Sequence, residues 1–326
     1  MGKAVRIHKT GGADVLQWED HDPGSPKEGQ VRVRHEAIGL NFIDIYHRIG
    51  FYPLPQLPAI LGSEGAGVVE AVGPQVTGFR IGDRVAYAGG PTGAYAQQRL
   101  IPADRLVKLP EGIGSDLAAA VMLKGMTARY LLYGCYRVKP GDVILIHAAA
   151  GGVGSIVCQW AAYLGATVIG TVGSESKAVY AAERGCAHPI LYREEDFAAR
   201  VKQLTSGQGV AAVYDSVGRD TFLKSLDCLR PMGTMVSFGQ SSGPVAPFDV
   251  GLLAAKGSLF LTRPTLMTYT AKRQDLEIHA GDLFNVLLKG AVRVGINQRY
   301  ALSEAARAHK DLESRRTTGA SLLQPF

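Results

Sequence analysis

Residues 143–154 read VILIHAAAGGVG: four apolar residues, a histidine, three alanines, and a turn in which three of the last four residues are glycine. The apolar run reads as a buried strand, and the segment after it, SIVCQWAAYLG from residue 155, has helical period. A strand that empties through a bare turn into a helix constrains the fold more than any other feature of the chain. In the dinucleotide fold this order places the free N–H groups of a helix against a pyrophosphate, and side chains would block the approach. Ala149, Gly151 and Gly154 take the three fingerprint positions as A-x-G-x-x-G, with Gly152 and Val153 between them. All five are expected to touch a cofactor. The first glycine of the usual fingerprint is missing, so a turn that merely joins strand to helix is the plain alternative.

The surroundings favour the cofactor. Between about 123 and 262 the apolar runs VILIH, TVIGTV, PILY, AAVYDSV, TMVSF and SLFLT alternate with helical segments such as SKAVYAAERG and TFLKSLDCL. Buried strands alternating with amphipathic helices call for a doubly wound α/β parallel sheet, covered on both faces. From residue 5 to about 108 the pattern is different: VRVRHEAIG, GAGVVEAVG and GDRVAYAGG alternate residue by residue and are broken by Gly, Pro and Asp. That is a compact β domain or barrel, with helix confined to a turn or two near 41–49. The tail shows a polar stretch near 269–280, helices near 282–289 and 303–313, and a last strand near 321–323. A chain of 326 residues exceeds one core. The expected division is 1–123 with 268–326 as one domain and 124–267 as the cofactor domain.

The second strand of the sheet decides which dinucleotide is bound. An NAD site normally ends this strand with an acid that holds the ribose 2′-hydroxyl. Here Gly173 and Ser174 leave room, and Lys177 follows on the next helix, where its ammonium can meet a 2′-phosphate. Glu175 is compatible with this only if it faces outward. The expected cofactor is NADPH.

Composition narrows the classes. Apolar residues make up 46% and charged residues 20%, without a run of about 18 apolar residues, which argues against a membrane protein. The start, MGKAVRIHKT, lacks the apolar stretch of a signal peptide, so a cytoplasmic protein is expected. The net charge of +6 is scattered among acids, which argues against dedicated nucleic-acid binding. Cys135, Cys158, Cys186 and Cys228 form no C-x-x-C pair, so neither a zinc knuckle nor a disulfide framework is expected.

The chain resembles the zinc-independent quinone oxidoreductases related to zeta-crystallin, within the medium-chain dehydrogenase/reductase superfamily. The resemblance runs through GLNFIDIYHRIGFYP (39–53), LGSEGAGVVEAVG (61–73), HAAAGGVG (147–154), YREEDF (192–197), VYDSVGRDTF (213–222), VSFGQSSG (236–243), LTRPTL (261–266) and ESRRTTGASLL (313–323). It implies a Rossmann-type domain beside a GroES-like, partly open β-barrel that carries the catalytic residues. Zinc-dependent members place a cysteine and a Gly-His-Glu motif around the metal. This chain has Asn41 and Gly62-Ser63-Glu64 there, so no metal is expected. His8, His21, His35 and His47 read as surface or lightly buried residues rather than ligands.

Without a Lewis acid an electron-poor acceptor fits best, and a quinone accepts hydride readily. Asn41 can donate an amide N–H to a quinone oxygen, and Tyr46 and Tyr52 can wall the pocket or donate a phenolic hydrogen bond; core packing is their alternative. Direct hydride transfer is the expected step, with one-electron transfer left open. The resemblance further implies cofactor contacts from Phe42, Tyr192, Ser216, Phe238, Gly239, Gln240 and Arg315, Arg316 competing with Arg315 for the inward position. Thr127, Tyr130 and Arg263 join them, with packing or ion pairing as their alternative. The apolar strand near 258–262 is an edge that a second copy would cover, so a homodimer is expected. Two other readings stand beside quinone reduction: an NADPH-dependent enal or enone reductase, and a cofactor-binding protein, crystallin-like or RNA-binding, with little turnover.

Overall fold

The computed structural model describes residues 2–326 and divides into two compact units, each with its own core. One unit is the chain up to Met126 with Thr270–Leu288 and Val294–Phe326; the other is Thr127–Tyr269 with Lys289–Arg293.

The first unit is built on the strand Gln30–Gly39. Its sequence VRVRHE turns Val31, Val33 and His35 inward and Arg32, Arg34 and Glu36 outward, the period-two pattern of a half-buried strand. The register against Glu64–Val72 shifts between His35 and Ala37, and from there through Leu40 every residue is buried. The sheet order is Ile296–Ala301, Ala320–Gln324, Gln30–Gly39, Glu64–Val72, Arg84–Ala88 and Val107–Lys108. Strand Gln98–Pro102 pairs with the N-terminal half of Gln30–Gly39. Helix α1 (Phe42–Arg48) leaves the buried end of that strand, and α2 (Ser115–Tyr130) follows the last strand of the sheet.

One tail element differs from its sequence reading. A helix spans Arg273–Leu288, well into the stretch that reads as merely polar. Leu276, His279, Ala280, Leu283 and Phe284 supply its buried face at helical spacing, and that stripe is thin among charged neighbours.

The second unit is a six-stranded parallel sheet. Its strands run in the order His188–Leu191, Thr167–Val172, Val143–Ile146, Val210–Asp215, Leu229–Ser237 and Phe260–Thr262. This is the doubly wound order, with its switch point between the first and fourth strands in sequence. α3 (Gly152–Tyr163) follows the first strand and α4 (Glu175–Ala182) the second. Phe260–Thr262 is the edge strand, shorter than the apolar run that announces it. Among the described residues no helix is long and apolar enough to cross a membrane.

The bare turn after Ile146 is required in part by the chain itself. A Cβ on Gly154 would lie 2.3 Å from the Ala148 carbonyl oxygen, and one on Gly151 would lie 3.1 Å from it. The helix packs that closely on its own turn. Gly154→Ala should therefore destabilise the protein by about 1–3 kcal/mol, the usual cost of overpacking. Urea unfolding checks this; an unchanged midpoint would show that the turn has slack.

Candidate active site

In the second unit α3 begins at Gly151, an N-cap in extended conformation with no side-chain cap. The first N–H groups of a helix have no intrahelical partner, so here they stand ready for an acceptor from outside. Gly151 N–H donates to the Ala148 carbonyl at 2.9 Å, and Ala149 N–H to Thr171 at 3.1 Å, which ties the turn to the neighbouring strand. An uncapped helix start on a turn without side chains fits a pyrophosphate.

At the second strand, Gly173 lies under Tyr192: a Cβ there would come to 3.0 Å from the tyrosine hydroxyl. Ser174 caps α4 by accepting the Lys177 backbone N–H at 3.4 Å. Glu175 is exposed in the first turn and Lys177 is half-buried. The strand tip itself thus carries no carboxylate.

Across the switch point the loops after the fourth and fifth strands meet. A Cβ on Gly239 would strike the Ser216 carbonyl at 2.7 Å, Phe238 N–H donates to Asp215 at 2.8 Å, and Gln240 packs on Gly218. Asp215, which the sequence reading passed over, organises this crossing. Its buried carboxylate accepts from the N–H groups of Val217 at 2.7 Å and Gly218 at 3.0 Å and from the Thr221 hydroxyl at 2.7 Å. Thr127 and Tyr130 are buried, and Tyr130 stacks on Tyr269 with ring centroids 4.7 Å apart. Arg263 is exposed and donates to the Pro264 carbonyl at 3.3 Å.

In the first unit Asn41 sits in a polar nest. Its side-chain N–H donates to Glu64 Oε2 at 2.9 Å, and the Lys124 ammonium donates to the same oxygen at 2.9 Å. Leu123 N–H reaches Glu64 Oε1 at 2.6 Å. One of the two amide hydrogens of Asn41 is thus committed to Glu64, and the second is not used in these bonds. Three residues on, Asp44 is also fully buried. Its Oδ2 accepts from Asn41 N–H at 2.9 Å and from the Tyr95 hydroxyl at 3.0 Å, and its Oδ1 from the Ser63 hydroxyl at 3.1 Å. Burial pushes the Asp44 carboxyl up to about 7, against the pull of these donors and of Lys124.

Tyr46 and Tyr52 are half-buried in one aromatic group with Phe42 and Phe51; Tyr46 meets Tyr52 edge-on at 5.2 Å and lies 6.2 Å from Phe42. Arg315 is exposed, with φ +58°, and Arg316 beside it pairs with Asp311 at 2.6 Å.

Sequence reasoning missed Asp44, Tyr95, Lys124 and His309. Lys124 carried the one available signal, a cation inside the apolar VMLKGM. His35 needs correction: it is fully buried, not near the surface, and bonds the Ala96 carbonyl and the Tyr87 hydroxyl, both at 2.6 Å. Its place in the inward phase of Gln30–Gly39 is the reason. Among the described residues no three His, Cys, Asp or Glu side chains converge as metal ligands would.

Comparison with known proteins matches this arrangement at both levels. The family model for the alcohol dehydrogenase GroES-like domain matches residues 27–111, and that for zinc-binding dehydrogenase matches 152–275. A quinone oxidoreductase of Pseudomonas aeruginosa is 52% identical, covering 100% of both chains. A 2-haloacrylate reductase from a Burkholderia species is 48% identical over 100% of this chain and 99% of its own. The structure of Escherichia coli quinone oxidoreductase complexed with NADPH superposes with a TM-score of 0.98 at 48% identity, covering 99% of this chain and 100% of that one. With its doubly wound sheet, its GroES-like unit and this likeness along its whole length, the chain belongs to the quinone oxidoreductase family of the medium-chain dehydrogenases/reductases.

Proposed function

We propose that this protein reduces small quinones with NADPH, by hydride transfer and without a metal. The observation that carries the reading is the roughly 50% identity, end to end, with quinone oxidoreductases, one of them seen with NADPH. The residues fit the cofactor: the uncapped start of α3 suits the pyrophosphate, and the Gly173-Ser174 tip leaves space where an acid would repel a 2′-phosphate. Bound NADPH supplies the hydride.

The protein's part is to hold and shield. Ala149, Gly151, Gly152, Val153 and Gly154 receive the pyrophosphate; Gly173, Ser174 and Lys177 surround the 2′-phosphate. Tyr192, above Gly173, borders the adenosine half. Ser216, Phe238, Gly239 and Gln240, in the loops beyond the switch point, border the nicotinamide half, with Thr127, Tyr130 and Arg263 as further contacts. Asn41 offers its second amide hydrogen to the acceptor oxygen, where charge develops as hydride arrives. Tyr46 and Tyr52 wall the acceptor.

Reduction of an activated double bond is a second reading, favoured by the similarity to a 2-haloacrylate reductase. It uses the same hydride donor, with the new proton going to carbon rather than to oxygen. The protein is also proposed to be a homodimer joined at Phe260–Thr262, an edge strand that leaves Phe260 62% exposed.

Steady-state oxidation of NADPH and NADH by a benzoquinone and by 2-chloroacrylate tests the activity. The quinone should be the better acceptor, and Lys177→Ala should raise KM for NADPH about tenfold, the worth of one charged hydrogen bond, while leaving NADH unaffected. Equal use of both cofactors by the unaltered protein would contradict the role of Lys177. Sedimentation equilibrium tests the assembly: a dimer is expected for the wild type and a monomer for Phe260→Asp, and a monomeric wild type would remove the interface.

A further inference from the structure

Hydride transfer to a quinone leaves an oxyanion, and the quinol needs a proton as well. The first unit contains two buried carboxylates with contrasting surroundings. Glu64 has an ammonium at 2.9 Å and a backbone N–H at 2.6 Å. Among the described residues the donors to Asp44 are neutral, the Asn41 N–H and the hydroxyls of Ser63 and Tyr95. Of the two, burial pushes Asp44 up toward the range of a proton carrier.

The hydrogen bonds around Asp44 run in one direction. Arg48 can only donate, and its Nη1 lies 3.1 Å from His309 Nδ1, so that ring nitrogen accepts. Burial, and then the Arg48 charge, pull the His309 imidazole down to about 3, so at neutral pH the ring carries its single proton on Nε2. That N–H faces the Tyr95 oxygen at 2.9 Å, which therefore accepts it and turns its own O–H to Asp44 Oδ2 at 3.0 Å. Oδ2 also takes the Asn41 backbone N–H. With two donors aimed at Oδ2, a proton on Asp44 belongs on Oδ1, and the partner of Oδ1 is the Ser63 hydroxyl at 3.1 Å. When Asp44 is ionised, Ser63 donates to it. When Asp44 is protonated, Ser63 accepts from it and its own O–H is released to point elsewhere.

We propose that Asp44 and Ser63 form the proton donor of the reaction, Ser63 handing its hydroxyl proton to the oxyanion of the acceptor held at Asn41 and taking a replacement from Asp44. The proposal rests on the reading of the site as one that reduces a quinone. In the step, the Ser63 O–H bond breaks as a new O–H bond forms on the acceptor, and the Asp44 Oδ1 proton moves to Ser63 Oγ. Asp44 is left as a carboxylate held by the Tyr95 hydroxyl and the Asn41 N–H, and solvent returns its proton after product leaves. The hydride carries both electrons, so none moves in this step. Ser63 is the catalytic group; Asp44 supplies it, and Tyr95 and His309 are positioning residues. The charged and titratable groups around Asp44 are Lys124 and Glu64 toward α2, and Tyr95 backed by His309, Arg48 and Glu313 toward the tail.

The test combines turnover with a measurement on the cofactor-free protein. In the latter, infrared titration of wild type should show a buried carboxyl deprotonating near 7, absent in Asp44→Asn and retained in Ser63→Ala. Since the native state keeps a proton that the unfolded chain loses near 4, wild-type stability should fall as pH rises from about 4 to about 7, and Asp44→Asn should lack that slope. At saturating NADPH, wild-type kcat should decline as pH rises through the same carboxyl titration. Ser63→Ala should lower kcat by about tenfold or more and lose the decline, with the Kd for NADPH unchanged. Should Asp44→Asn not fold, Ser63→Ala carries the test. Wild-type kcat and pH profile in Ser63→Ala, or a carboxyl titrating in the ordinary range, overturns the relay alone. A wild type that binds NADPH but does not reduce a quinone overturns the relay and the functional reading together.

Discussion

Glu64 has no exposed surface, and a carboxylate taken fully out of water costs several kcal/mol unless its oxygens are satisfied. The pair it makes with Lys124, itself buried, and the hydrogen bonds from Leu123 and Asn41 meet that demand. The arrangement reaches into the backbone: a Cβ on Gly39 would fall 2.2 Å from Glu64 Oε2 and 2.3 Å from the Ala119 carbonyl, so the end of that strand must be bare to admit the carboxylate and α2 together. Through Asn41 the same carboxylate fixes the start of α1. Arg48, pinned to Glu313 and the Gly11 carbonyl, fixes its end. The aromatic group of Tyr46 and Tyr52 rides on the helix held between these two anchors.

A different constraint governs the second unit. Its turn is bare for two reasons at once: Gly154 because the chain packs on itself, and the residues at the head of α3 because their N–H groups are left without a cap. The reading of that turn as a phosphate cradle is therefore incomplete, since one of its glycines answers to Ala148. Gly173 is similar, kept small beneath Tyr192. Packing and the proposed ligand space fall to the same residues, which is how a short sequence motif can carry so much of a fold.

This also explains what was legible in the sequence. The alternation of strand and helix from Val143 to Thr262 is local, and the doubly wound sheet follows from it; the inward phase of Val31, Val33 and His35 is equally local. The quoted likeness to quinone oxidoreductases reached the chemistry. The proton path did not show, because its members lie at positions 44, 63, 95 and 309 and meet only through tertiary packing. Asp44 looks like an acid early in a helix, and His309 like one polar residue among many on an amphipathic helix. His35 falls in the inner phase of Gln30–Gly39, yet a histidine invites a surface reading until Tyr87 and the Ala96 carbonyl are seen to satisfy it.

The central claim is that hydride passes from NADPH to a quinone on this protein. A single-turnover experiment tests it most directly: the protein loaded with NADPH, either ordinary or deuterated at the transferring position of the nicotinamide, is mixed with a benzoquinone, and loss of the reduced-cofactor absorbance is followed. One quinone reduced per NADPH, more slowly with deuterium, is the expected result. Bound NADPH that the quinone does not oxidise, or oxidation at a rate indifferent to deuterium and unaccompanied by stoichiometric quinol, would contradict the account.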